Sequence, residues 1–165
     1  MAELNLGLET LARASTPTER QTATAWVQRA ADANLAIAQD KLGRMYLFGY
    51  GVSQDTSEAL SWLQRAAKHG APAAQLELAQ LYATGALVPV DKVKAYYWYS
   101  VAAKPVQSDV TIYNIQQVRR FASKRAQTLG ASLTADQRAS VSSQVAAWTP
   151  ISSVPYSGMI RGPVR

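Results

Sequence analysis

The sequence predicts an all-α fold in which pairs of helices repeat along the chain and stack into a solenoid. The first observation is that tryptophan recurs every 36 residues, as Trp26, Trp62 and Trp98. The second is that other residue types recur at the same spacing: Tyr46 and Tyr82, Gly49 and Gly85, Val52 and Val88, Asp55 and Asp91. The third is that helix-ending and helix-starting residues separate the periodic segments. A repeat of this length cannot bury its apolar face alone, so we expect stacked units.

The repeat is predicted to contain two helices. The first runs from about Ile37 to Phe48, where apolar residues follow helical spacing. Gly49 ends it, because glycine readily takes the left-handed conformation found at helix ends. The second begins near Asp55, whose carboxylate can accept the free amide hydrogens of the first turn, and Glu58 is expected to complete a capping box.

The same signals mark the neighbouring repeats. Gly70 ends the second helix, and Pro72 opens the next repeat at the first helical position, which proline tolerates. Asp91 is expected to cap as Asp55 does. Residues 16–19, Thr-Pro-Thr-Glu, provide a capping signal in the preceding repeat. The helix pairs therefore extend on both sides of the central repeat.

The central repeat resembles the Sel1-like repeat family, whose motif it matches as Ala38-x3-Leu42-Gly43-x2-Tyr46-x2-Gly49-x-Gly51-Val52-x2-Asp55-x3-Ala59-x2-Trp62-Leu63-x2-Ala66-Ala67-x2-Gly70. The next repeat departs from the motif at Ala79, Leu87 and Pro105. The resemblance implies a right-handed α/α superhelix related to tetratricopeptide arrays. It also implies an adaptor or scaffold role, and a bacterial source.

We expect one repeat domain over residues 1–148, with a degenerate unit at 1–36 and further units at 37–71 and 72–104. Two capping helices within 108–148 should close it. The first, from about Ser108 to Leu129, would bury Ile112, Ile115, Val118, Ala122 and Ala126. The second would follow a capping box at Thr134 and bury Val141, Val145 and Trp148. Residues 149–165 are expected to form a loose tail or, alternatively, a docking segment that uses Val154, Tyr156, Met159 and Ile160.

The positive charge is concentrated in the last third of the sequence. The net charge is +6. Nine bases and nine acids balance up to Ala103, and eight bases face two acids from Lys104 onward. One cluster on the first capping helix comprises Arg119, Arg120, Lys124 and Arg125. It is interpreted either as a solvated face or as a site for an acidic protein, in preference to nucleic acid.

By the resemblance, the first helix of each pair lines a concave surface that receives a partner. The candidate partner-binding residues there are Lys41, Arg44, Met45 and Phe48 in one repeat, and Glu77, Gln80, Leu81 and Thr84 in the next. Met45 and Phe48 could equally belong to the core. If they are exposed, they are natural anchors in a groove rimmed by charge.

The sequence offers little for catalysis or cofactor binding. It has no cysteine and one histidine, His69, which is expected to cap the end of its helix. No motif around His69 provides a nucleophile and an orienting acid. We therefore predict no catalytic residue, no metal site, no cofactor and no small-molecule substrate. Gly49-Tyr50-Gly51 closes a helix, unlike a nucleotide-binding loop, which opens one.

The favoured hypothesis is a non-catalytic adaptor that binds another protein in its groove and on its basic face. An immunity protein that neutralises a toxin by direct binding is the alternative, and nucleic-acid binding through the basic helix is less favoured. Glu3, Asn5 and Glu9 interrupt the apolar residues at the N-terminus, so we see no secretory leader. No membrane span is apparent. We expect a cytoplasmic protein, or a periplasmic one if a leader has been removed.

Overall fold

The computed structural model describes residues 2–105 and 115–151, and every regular element within them is an α-helix. The helices are α1 Ala2–Arg13, α2 Pro17–Asp32, α3 Ala36–Phe48, α4 Thr56–Lys68, α5 Pro72–Thr84, α6 Lys92–Ala103, α7 Ile115–Gly130 and α8 Ala135–Ala147. The all-α prediction is therefore confirmed. The proposed start of the first capping helix, from Ser108 through Ile112, and the four suggested tail anchors lie outside the described residues. No helix in the described ranges is both long and apolar enough to cross a membrane.

The chain forms two compact units. Of the described residues, the first unit contains 2–71 and Ile151, and the second contains 72–105 and 115–150. In the first unit α1 packs on α2, α3 packs on α4, and α2 joins the two pairs by packing on α3. The N-terminal repeat, expected to be degenerate, is thus a complete helix pair. The buried side chains of this core include Leu4, Leu11, Val27, Leu42, Met45 and Trp62.

Loops at equivalent positions of two repeats close with the same backbone bond. The amide of Asp55 donates to the carbonyl of Tyr46 at 3.0 Å, and the amide of Asp91 donates to that of Tyr82 at 2.9 Å. Gly49 takes the left-handed conformation after α3, with φ of 68°. The recurring tyrosine, glycine and aspartate therefore mark one loop geometry that is used twice.

The predicted helix caps are mostly confirmed. Thr16 with Glu19 and Thr134 with Gln137 form complete capping boxes. Asp55 accepts from the amides of Ser57 and Glu58, at 2.8 and 3.0 Å. The prediction that Glu58 completes a box at α4 is wrong, because the Asp55 amide that would donate to it donates to Tyr46 O, and the Glu58 carboxylate accepts from the indole of Trp62.

The recurring tryptophans pack against the helices around them. Trp62 and Trp98 are 7% and 8% exposed, and Trp26 is half-buried. The indole Nε1 of Trp62 donates to Glu58 Oε2 at 3.1 Å. The guanidinium of Arg65 lies 4.4 Å from the ring centre of Trp62, and Arg29 lies 5.0 Å from that of Trp26. An arginine three residues after the tryptophan thus covers the ring in both repeats, in cation–π geometry.

In the second unit α5 packs on α6, and both α7 and α8 pack on α6. Ala122, Ala126 and Val141 are buried as expected, whereas Ile115, Val118, Val145 and Trp148 are half-buried. The helical face predicted for α8 is therefore only partly covered. Trp148 caps the helix and does not continue it, because its backbone is extended, with ψ of 129°.

Two cations hold helix ends together in the second unit. The ammonium of Lys104 donates to the carbonyls of Val145, Ala146 and Trp148 at 2.9, 3.1 and 2.7 Å. Arg138 donates through Nη1 to Gly130 O at 3.1 Å and to Leu133 O at 2.6 Å. Both cations lie at the negative end of a helix dipole, where positive charge is favourable.

Candidate functional site

The four α3 residues predicted to bind a partner lie together in the structure. They line a groove of about 380 Å³ in the first unit, which we call the α1–α3 groove. Its lining residues are Leu8 and Leu11 of α1, Lys41, Arg44, Met45 and Phe48 of α3, and Tyr50 of the following turn. The groove has the size of a small ligand site and is open to solvent.

Met45 and Phe48, each of which could belong to the core or to the surface, differ in burial. Met45 is 5% exposed and belongs to the core, where Leu11, also 5% exposed, lies with it on the floor of the groove. Phe48 is 66% exposed and Tyr50 is 51% exposed. Solvated aromatic rings beside an apolar floor are unusual in a protein that binds nothing, because burying them against a partner would be favourable.

The charge of the groove differs from that of its surroundings. Residues 1–71 contain seven bases and seven acids, so this part of the chain is neutral. The residues that line the groove include Lys41 and Arg44 and no acid. Lys41 is half-buried and Arg44 is exposed. The groove is therefore a locally positive, partly apolar surface within residues 1–71, whose charges balance.

Sequence reasoning missed Leu8, Leu11 and Tyr50. The first two lie on α1, whose repeat motif is weak. Leu11 falls 36 residues before the buried Leu47, a register match that could have placed it. Tyr50 lies between Gly49 and Gly51, which both have positive φ, and this turn sets Tyr50 beside the end of α3. An exposed aromatic residue between two turn glycines was the available signal.

The four α5 candidates belong to the second unit and do not line the α1–α3 groove. Gln80 and Thr84 are exposed, and Thr84 Oγ1 donates to Gln80 O at 2.9 Å. Glu77 is half-buried. Leu81 is 7% exposed, so it is a core residue and its placement on a binding surface was wrong. Of this set, Gln80 and Thr84 present the most surface.

The basic residues of α7 form a second candidate surface. Arg120, Lys124 and Arg125 are exposed, and Arg119 is half-buried. The guanidinium of Arg125 lies 5.2 Å from the ring centre of Phe121, which is itself 39% exposed. We call these five residues the α7 basic surface. We do not count Lys104 and Arg138 in this surface, because the cationic groups of both donate to helix-end carbonyls.

A depression of about 450 Å³ in the second unit lies where α6, α7 and α8 meet. Tyr96, Ser100, Ser123 and Arg138 are among its lining residues. Arg138 already donates to two backbone carbonyls there. None of the lining residues is an acid or a histidine.

His69 has a structural partner. Its Nδ1 lies 2.9 Å from Oε1 of Gln39, whose Nε2 donates to Ala31 O at 3.1 Å. The Gln39 oxygen is therefore the acceptor, and Nδ1 carries the donated hydrogen. The sequence predicted that the imidazole caps the carbonyls of α4, and this is wrong. The backbone amide of His69 caps them instead, by donating to Arg65 O at 3.0 Å.

The pKa of His69 is lowered, first by burial and then by the positive charge of Arg65. Both effects favour the neutral imidazole. Within residues 2–105 and 115–151, no group of three or more His, Asp or Glu side chains is placed to hold a metal ion.

These helix pairs, with shared loop geometry and a surface groove, define a helical-repeat protein. The Sel1 repeat model matches residues 1–35, 36–70 and 72–104, and the chain belongs to that family. Sel1 repeat proteins generally mediate protein–protein interactions, and their fold is typically a non-catalytic scaffold.

Two solved structures are similar to this chain. One is c5321, a protective antigen present in uropathogenic Escherichia coli strains that displays an SLR fold. It matches at 28% identity and a TM-score of 0.69, over 90% of this chain and 30% of that one. The other is a Sel1 repeat protein from Oxalobacter formigenes, at 32% identity and a TM-score of 0.57, over 71% of this chain and 33% of that one. The chain spans about a third of the length of each. A search of curated proteins found no match.

Proposed function

We infer that this chain is a non-catalytic adaptor that binds a partner protein in the α1–α3 groove. The main support is that Phe48 and Tyr50 are more than half exposed beside a buried apolar floor. An exposed aromatic pair of this kind resembles the anchor residues that dominate the energy of protein interfaces. The family's general role in protein–protein interaction supports the same function.

The α7 basic surface provides a second contact of a different kind. Three of its four charges are exposed, and only one aromatic side chain, Phe121, accompanies them among the residues that define it. Charged residues at the rim of an interface chiefly raise the association rate and set partner choice, with less effect on affinity. In this proposal the groove anchors the partner and the α7 basic surface attracts its acidic regions.

The test is affinity capture with the full chain from the cells that produce it, followed by quantitative mass spectrometry. We compare the wild type with Phe48→Ala and with the double variant Lys41→Glu/Arg44→Glu. The matched controls are Leu87→Ala, an exposed apolar residue, and Lys92→Glu, an exposed base in the first turn of α6. Glutamate is favourable in a first helical turn, so this control should fold normally.

Support would be a captured protein whose yield falls about tenfold or more with both groove variants and stays constant with both controls. Capture that is equal for all five proteins would exclude the groove as the binding site. The variant Arg120→Glu/Lys124→Glu then measures the contribution of the α7 basic surface. We expect it mainly to slow association, and the effect should weaken at high salt.

A further inference from the structure

The chemistry of the α1–α3 groove also specifies what kind of segment fits it. We propose that the groove takes a short acidic segment of the partner, which buries one bulky apolar side chain against Phe48 and Tyr50 while its carboxylates meet Lys41 and Arg44. This proposal rests on the proposed function and adds the identity of the bound chemistry.

The size of the groove suits one large anchor and the backbone beside it. The volume of about 380 Å³ exceeds that of a single leucine, phenylalanine or tryptophan side chain but does not approach that of a folded domain. The floor is made by Leu11 and Met45, and Leu8 is half-buried at its side. An apolar anchor is required, because a polar side chain on this floor would lose its water without gaining hydrogen bonds.

The charges of the groove select the residues that flank the anchor. Lys41 and Arg44 lie three positions apart on α3, so they occupy neighbouring places on one helix face. No acid lines the groove to neutralise them. Arginine can bind a carboxylate through two parallel hydrogen bonds, which gives an acidic flank both attraction and orientation.

The same charge argument disfavours this chain's own C-terminal segment as the occupant. Residues 149–165 carry Arg161 and Arg165 and contain no acid. Their charge has the same sign as that of the groove, and like charges brought together at an interface oppose binding. A separate partner with acidic residues satisfies both the apolar floor and the cationic rim.

The experiment uses a library of random short peptides displayed on phage and selected on the immobilised full chain. Enriched sequences are synthesised with a fluorescent label, and their affinities are measured for the wild type, Phe48→Ala, Lys41→Glu/Arg44→Glu and the control Lys92→Glu. We expect peptides with one leucine, phenylalanine or tryptophan next to two or more acids. Their affinity should fall about 10- to 100-fold with each groove variant and stay constant with Lys92→Glu.

Salt provides an independent readout of the charge contribution. The Debye length shortens from about 30 Å at 0.01 M to about 8 Å at 0.15 M ionic strength. Wild-type affinity should therefore fall between these conditions, and the charge-reversed variant should show a much weaker dependence. Substituting the acids of the peptide by their amides should weaken binding to the wild type by a similar factor.

The outcomes separate this proposal from the proposed function. Enriched peptides that need Phe48 but are neutral or basic would overturn the acidic-segment proposal and leave the groove as a binding site. Peptides that bind all variants equally would overturn both, as would a selection that enriches nothing. The remaining possible occupant is a second copy of this chain, which sedimentation velocity tests. If the wild type self-associates and Phe48→Ala abolishes the association, the groove is a self-association site and the acidic-segment proposal is overturned.

Discussion

Gly43 lies so close to Leu63 that a Cβ atom on Gly43 would stand 2.8 Å from Leu63 Cγ and 3.1 Å from its backbone nitrogen. The preceding repeat has the same relationship, since a Cβ on Gly7 would stand 2.9 Å from Val27 Cγ2. Gly7 and Gly43 are 36 residues apart in sequence, and so are Val27 and Leu63. In both pairs the two helices thus approach closely at a glycine of the first helix, where a side chain would not fit without a shift.

Gly43→Ala should therefore destabilise the protein although alanine favours helices. The added methyl meets backbone as well as side chain, and such overpacking costs about 1–3 kcal/mol. The gain in helix propensity, about 1 kcal/mol, offsets part of this. We expect a net loss of up to about 2 kcal/mol in urea denaturation, whereas Arg44→Ala at the neighbouring exposed position should change stability by less than about 0.5 kcal/mol.

The effect should also depend on Leu63. In a Leu63→Ala background the space beside position 43 is larger, so the additional cost of Gly43→Ala should shrink. Strictly additive losses would show that the contact with Leu63 is not the cause. The third repeat has Ala79 and Tyr99 at the two equivalent positions.

Protonation of His69 should lower stability between pH 7 and pH 5. Burial and Arg65 lower its pKa in the folded protein, so the unfolded chain, with a pKa near 6.5, binds the proton more readily. The stabilisation is complete above the unfolded pKa and is lost as pH falls toward the folded pKa. Because His69 is the one histidine in the sequence, His69→Gln should flatten this part of the pH profile.

The measurement is the free energy of unfolding in urea at several pH values for both proteins. Carboxylates that begin to titrate near pH 5 affect both proteins alike, so the difference between the two profiles isolates His69. Parallel profiles would contradict the assignment of the lowered pKa to this imidazole.

The fold could be predicted because its signals are local or strictly periodic. Asp55 and Asp91 recur since each closes a loop onto a tyrosine carbonyl and caps the helix that follows. Glu58 shows the limit of such reasoning. Its position fits a capping box, yet the Asp55 amide that the box needs as a donor is bound to Tyr46 O, and the Glu58 carboxylate accepts the indole of Trp62. Sequence spacing alone does not show which of two acceptors a backbone amide takes.

The candidate site could be predicted only in part, because a groove needs residues from separate helices. Helical spacing placed Lys41, Arg44 and Phe48 on one face of α3, but it could not add Leu8, which comes from the helix pair before. Burial was also not decidable from spacing. Spacing allowed Met45 in the core or on the surface and predicted Leu81 on the surface, and both are buried, because the helix face they share with the binding residues is partly covered.

Asp91→Ala should destabilise the second unit by about 1 kcal/mol, since its carboxylate accepts the amide of Lys94 at 2.9 Å. That hydrogen bond is the main cause that lowers the pKa of Asp91. Its contribution is present above the unfolded pKa of about 3.9 and is lost as pH falls through the folded value. The difference between wild type and variant should therefore shrink in acid.

The matched control is Asp136→Ala, which removes an acid from the first turn of α8, where Thr134 provides the cap. Its cost should be limited to the loss of a favourable dipole interaction, about 0.3–1 kcal/mol, and should fall with added salt. Equal losses for the two variants under all conditions would argue against a capping role for Asp91.

Lys104→Met should loosen the end of α8, although the two positions are more than 40 residues apart in sequence. The ammonium donates to three carbonyls at the end of α8, of which Val145 O also accepts the amide of Trp148, and hydrogen bonds to charged groups are worth about 1.5–3 kcal/mol. Methionine keeps most of the apolar stem and removes the charge and the donors. We expect a loss of about 1–3 kcal/mol in the unfolding free energy of the protein. Hydrogen exchange should also become faster in the last turn of α8, while α3 and α4 stay unchanged.

Lys124→Met, at an exposed position of α7, is the matched control and should leave both readouts near the wild type. Unchanged exchange in α8 of the Lys104 variant would mean that water replaces the ammonium at no cost, and that this long-range contact does not hold α8 in place.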